Sequence, residues 1–132
     1  MVTRKTTDQP PQDTKEVVNE TEKAIVGSGN WRSAVFSTDG FKYIVGLMLS
    51  TAGNVCDFRV WQGPADASTV ADMPYRSTPD GGDKYDPAVD PNDKNAWQVA
   101  VVGQTAILEI LENNGAPADI VVDKILCYVR KQ

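Results

Sequence analysis

The chain has 132 residues, 14.4 kDa, 41% hydrophobic and 23% charged, which fits one globular domain with one core. A net charge of −5 and a pI near 4.6 argue against a protein that holds nucleic acid by neutralising phosphates. No apolar run is long enough for a membrane-spanning helix, and the absence of histidine removes Ser-His and Cys-His nucleophile pairs and the usual zinc ligand.

Residues 1–16 hold Arg4, Lys5 and the Pro10-Pro11 pair among Thr, Gln and Asp, with Met1 and Val2 as their only large apolar residues before Val17. Such a segment cannot offset its ordering entropy by burial. It reads as an extended arm that contacts a partner through Arg4, Lys5, Pro10 and Pro11, and its reach is roughly 50 Å when stretched. Its basic residues are not followed by an apolar stretch, so no secretory signal is expected. Residues 17–132 are read as the folded domain.

Val17, Val18 and Ala24-Ile25-Val26 mark a first strand or an ordered continuation of the arm. A strand over Trp31–Ser37 follows, closed by the turn residues Thr38-Asp39-Gly40. From 41 to 49, Phe41, Tyr43, Val45, Leu47 and Leu49 alternate with the mixed set Lys42, Ile44, Gly46 and Met48. Period two predicts a strand with the wholly apolar set facing inward. Residues 50–54 have the length of a hairpin link to the next strand, where Cys56, Phe58 and Val60 alternate with Val55, Asp57 and Arg59.

The pattern breaks over 63–95, which holds five prolines, three glycines and seven aspartates against Arg76, Lys84 and Lys94. A long acidic loop of this kind persists in a compact domain when it has a function. Recognition or assembly is expected of it, with Val70, Met73 and Tyr75 supplying the apolar contacts, and Met73–Ser77 could form an edge strand. Asp80, Asp83, Asp86 and Asp90 are candidate calcium ligands, but they lack the ordered spacing of an EF-hand and also read as turn residues.

Strand character returns at Ala96–Val102, around Trp97, Val99 and Val101. Thr105–Asn113 is open to helix or strand, and strand is preferred because Ile107 and Leu111 would lie opposite Leu108 and Ile110 on a helix. Ile120–Val129 is apolar on both faces with Asp123-Lys124 interrupting, as in a central strand with a bulge. Seven or eight short strands with almost no helix predict an all-β fold, a single antiparallel β-sandwich of jelly-roll or Greek-key type.

Catalytic signals are weak. Glu109 and Glu112 are three apart, so on a strand they point to opposite faces and are expected at the surface rather than in a shared site. Serines lack a nucleophile-elbow setting and no phosphate-binding glycine motif occurs. No enzyme activity and no cofactor are expected. Cys56 and Cys127 sit in apolar strands and are expected as buried free thiols. Trp61 and Trp97 are expected in the core, although with Tyr75 they could also build a sugar-stacking platform.

The segments W-R-S-A-V-F-S-T-D-G from Trp31, F-K-Y-I-V-G-L-M-L-S from Phe41, F-R-V-W-Q-G from Phe58 and A-W-Q-V-A-V-V-G-Q-T-A-I-L-E-I-L-E-N-N-G from Ala96 resemble small β-sandwich structural proteins of tailed bacteriophages. There a strand ending in a hydrophobic-x-Q step likewise leads into a long Asp-rich loop. The resemblance spans roughly 31–130, and it departs where those chains often carry Tyr-x-Arg, since Ala106-Ile107-Leu108-Glu109 stands here. It implies a virion protein made in the host cytoplasm. The implied role is a capsid decoration or cement subunit, dimeric or trimeric, that binds capsid or other virion proteins through arm, loop and sheet edges. A carbohydrate-binding sandwich, calcium-assisted through the 63–95 loop, is the alternative.

Overall fold

A computed structural model describes residues 13–51, 54–77, 84–85 and 96–132. Ten strands are present among them: β1 (Thr14–Ile25), β2 (Asn30–Arg32), β3 (Phe36–Ser37), β4 (Tyr43–Ser50), β5 (Cys56–Gly63), β6 (Tyr75–Ser77), β7 (Lys84–Tyr85), β8 (Ala96–Ala100), β9 (Thr105–Glu112) and β10 (Ile120–Arg130). A single 3-10 turn, Val70–Asp72, is the one helical element among the described residues.

All pairings are antiparallel. Sheet A runs β1-β10-β4-β8, and sheet B runs β2-β9-β5-β6, with β3 also on β9 and β7 also on β5. Taking β2/β3 and β6/β7 as two broken strands leaves eight, divided four and four, with the chain changing sheet at nearly every connection. This is the strand order of a jelly roll, two Greek keys closed into a sandwich. The strand β1 begins at Thr14, within the segment read as arm.

The long strands form where expected. β9 is extended, and β10 is an interior strand of sheet A, its register shifting between Val122 and Lys124. The Trp31–Ser37 strand is split instead: Ser33 leaves the ladder, its N–H donating to the Leu108 carbonyl (2.9 Å) and its hydroxyl accepting from the Leu108 N–H (3.0 Å). The link at 50–54 is not a hairpin, because β4 and β5 lie in different sheets. Alternating strands on both sides of a short link look alike in sequence whether they pair or stack.

The face of β4 is the reverse of the expected one. Ile44 and Met48 are buried in the main core, while Leu47 and Leu49 are 39% and 54% exposed. Cross-strand partners decide this. On β10, Ile125, Cys127 and Val129 lie opposite Met48, Gly46 and Ile44, whereas Lys124 and Arg130 lie opposite Leu49 and Tyr43. Turning β4 over would turn its ladder neighbours with it and carry a lysine and an arginine into the core without partners. Gly46 completes the arrangement: the Trp97 indole lies against its Cα, where a Cβ would overlap the ring.

The core between the sheets contains Ile44, Met48, Phe58, Val60, Trp97, Leu108, Ile110, Ile125 and both cysteines, among others. A second, smaller core of Ala67, Met73 and Ile107, flanked by Trp61 and Val70, covers part of the outer face of sheet B. Gln62, 1% exposed, closes one end of the sandwich. Its amide donates to the Ala100 carbonyl (2.9 Å), and its oxygen accepts from the N–H groups of Val102 (2.8 Å) and Gly103 (3.1 Å). These bonds anchor the crossing from β8 to β9.

Cys56 and Cys127 are free and fully buried, and burial pushes both thiols up to about 12. Thiols held protonated and inaccessible do not react. Iodoacetamide is expected to label neither in native buffer and both in about 6 M guanidinium, read by intact-mass spectrometry; labelling of the native protein would contradict the burial.

Candidate functional site

The two outer sheet faces differ in chemistry. On sheet B, β9 sends Ala106, Leu108 and Ile110 into the main core, so Ile107, Glu109 and Leu111 occupy the outer face by strand alternation. β5 does the same with Asp57, Arg59 and Trp61, and β2 with Asn30 and Arg32. The register places Arg32, Glu109 and Arg59 side by side in one row across three strands, and Arg76 of β6 beside Trp61 in the next.

Glu109, the middle member of the first row, is 2% exposed. It accepts hydrogen bonds from the Trp61 indole N–H at Oε1 (2.9 Å), and from Asn30 Nδ2 (2.6 Å) and Arg32 Nε (2.8 Å) at Oε2. Burial alone pushes the carboxyl up, but the hydrogen bonds from Trp61, Asn30 and Arg32 and the charge of Arg32 outweigh it and hold Glu109 below the usual carboxylate range. The carboxylate is saturated with donors. It positions the indole and the Arg32 guanidinium rather than presenting a lone pair to a substrate. Above it, the Arg76 guanidinium lies 5.8 Å from the Trp61 ring centroid.

Sheet A carries an apolar stripe on its outer face. Tyr43, Val45, Leu47 and Leu49 of β4 run beside Arg130, Tyr128, Leu126 and Lys124 of β10 on one side, and beside Ala100, Gln98 and Ala96 of β8 on the other. A shallow groove of about 300 Å³ lies across it, lined by Thr14, Val45, Leu47, Tyr128 and Arg130. Polar residues close the rim, with Thr14 and Glu16 of β1 opposite Arg130 and Tyr128. Antiparallel sheets usually solvate such a face with polar side chains. Here the interior strand carries large apolar ones.

The candidates expected from the sequence are distributed as follows. Arg4, Lys5, Pro10 and Pro11, and the calcium candidates Asp80, Asp83, Asp86 and Asp90, lie outside the described residues. Met73, expected at a partner surface, is instead 3% exposed in the second core, and Val70 packs against that core; both cover sheet B of their own chain. Tyr75 is exposed at 47%, over a cleft of about 380 Å³ also lined by Gln62, Pro64, Pro74, Val102 and Gln104. Trp97 is in the core as expected, 5.9 Å from Phe58 of the opposite sheet. Trp61 is not: it lies on the outer face of sheet B, half-buried.

Glu109 and Glu112 point to opposite faces but are both buried, against the expectation of surface placement. Glu112 accepts from the N–H groups of Ser28 (2.6 Å), Asn114 (2.8 Å) and Ala118 (3.3 Å), bonds that hold its carboxyl below the usual range and fasten two loops to the end of β9. The one signal that could have found Glu109 was its position in a strand otherwise apolar on both faces, since a lone charge there needs partners. No protein-family model matches the chain, and no curated protein matches it.

Proposed function

We propose that the chain is a non-enzymatic structural subunit of a virion, a capsid decoration or cement protein that docks on a neighbouring protein through the outer face of sheet A. The observation that carries this reading is the outward stripe Tyr43, Val45, Leu47 and Leu49 on an interior strand, in which, among the described residues, Leu47 and Leu49 are exposed and Tyr43 and Val45 half-buried. Contiguous apolar patches of this kind mark interaction surfaces. The jelly-roll strand order and the resemblance to phage structural proteins support the virion assignment, and a carboxylate sealed by its own scaffold supports a role without catalysis.

Two measurements test it. Particles banded by density from a culture expressing the sequence should contain its tryptic peptides in stoichiometric amount; their absence would remove the virion role. Replacing Leu47 and Leu49 by lysine and glutamate should leave the circular dichroism unchanged, because both side chains are already part-exposed. It should weaken particle binding by at least about tenfold, the effect of losing a central apolar anchor. Undiminished binding would remove sheet A as the docking face. The carbohydrate-binding alternative draws on Tyr75 above its cleft, and a glycan array that returned a specific sugar would favour it.

A further inference from the structure

The outer face of sheet B holds three arginines, of which one makes an ion pair among the described residues. Arg32 gives its Nε to Glu109, and its side chain is 46% exposed. Arg59 stands beside Glu109 in the ladder, yet makes no ion pair among the described residues. Arg76 lies on the Trp61 ring and also makes no ion pair among them.

Their spacing follows from the ladder. Strands lie about 4.8 Å apart and same-face neighbours about 6.7 Å apart along a strand, so the Cα atoms of Arg32 and Arg59 are about 10 Å apart and those of Arg59 and Arg76 about 8 Å. Two of the three are already held, Arg32 by Glu109 and Arg76 by the indole, and Trp61 is held by Glu109 in turn. Binding a ligand there orders few new side chains. Among the described residues, the acidic groups sharing the face are Glu109, which is buried, and Asp57, two residues along β5, which accepts from Asn113 Nδ2 (2.8 Å).

We infer that this Arg32–Arg59–Arg76 cluster over Trp61 is a second docking site, for an acidic segment of a partner protein that presents two or three carboxylates. The occupant is fixed by charge and by extent. Guanidinium groups recognise carboxylates by bidentate hydrogen bonds, and arginine with tryptophan is the composition of interface hot spots. A long polyanion such as nucleic acid or a sulfated glycan would run beyond three arginines onto a protein whose net charge is −5, and be repelled. A neutral sugar finds the ring face of Trp61 taken by Arg76. The site does not depend on the sheet A reading, since it lies on the opposite face of the sandwich.

The test is fluorescence anisotropy with a fluorescein-labelled hexa-aspartate peptide, a hexa-serine peptide and a heparin-derived tetrasaccharide. Hexa-aspartate should bind the full chain, weaken with added salt, and lose about tenfold in affinity in the double variant Arg59→Gln/Arg76→Gln. The variant Lys15→Gln/Lys42→Gln, which removes the same charge elsewhere, should bind as the parent does. If the double variant fails to fold, Arg76→Gln alone, at an exposed edge position, carries the comparison. Absence of binding, equal loss in the lysine variant, or tighter binding of the tetrasaccharide than of hexa-aspartate would each overturn the assignment.

Discussion

Replacing Gly46 by alanine should destabilise the protein by about 3 kcal/mol, the upper range for overpacking a core, and lower Tm by about 10 °C. The cause is local. Gly46 is on the buried face of β4, and the Trp97 indole occupies the space a Cβ would need. The ring cannot simply move aside, because it also contacts Phe58 of the opposite sheet at 5.9 Å between centroids. In the double variant Gly46→Ala/Trp97→Leu, the smaller side chain makes room. The combined loss should therefore be smaller than the sum of the two single losses, as expected for directly touching residues. Urea denaturation of the three variants measures it, and additive effects would show that the steric contact is not the cause.

Glu109→Gln should cost about 2–3 kcal/mol, because a charged acceptor serving three donors is replaced by a neutral amide whose NH₂ opposes Arg32. The loss also has a pH signature. The folded-state pKa of Glu109 is depressed, so its contribution is fully present above the ordinary glutamate pKa and disappears as pH falls through the lowered folded value. The stability difference between parent and variant should therefore be largest near neutral pH and shrink between about pH 5 and about pH 3. Taking the difference cancels the titration of Glu112, which is also held down and is common to both proteins. A gap independent of pH would mean that Glu109 acts by packing alone.

Strand character, the interior position and bulge of β10, the extended state of β9 and the burial of both cysteines are local matters. They follow from alternation and β-branched content within single segments, and were legible from residues such as Asp123-Lys124 interrupting an apolar run. The identity of the buried face was not. Along 43–49 the odd positions are the more hydrophobic, and only the register with β10, which ties Leu49 to Lys124 and Tyr43 to Arg130, turns them outward. The candidate docking surface of sheet A exists because of that pairing.

The same holds for sheet B. Arg32, Arg59, Arg76 and Glu109 are scattered over 78 residues of sequence, and nothing local to any of them marks a cluster. They meet because β9 is the strand that β2 and β5 both pair with, and because β6 adds to the edge of β5. A short link at 50–54 reads as a hairpin from its length, but whether it pairs two strands in one sheet or carries the chain across the sandwich depends on which strands bury each other's apolar faces. The elements were thus determined by the sequence of each segment, and both candidate surfaces by long-range pairing: a strand's period says that it has two faces, while only its neighbours decide which one water sees.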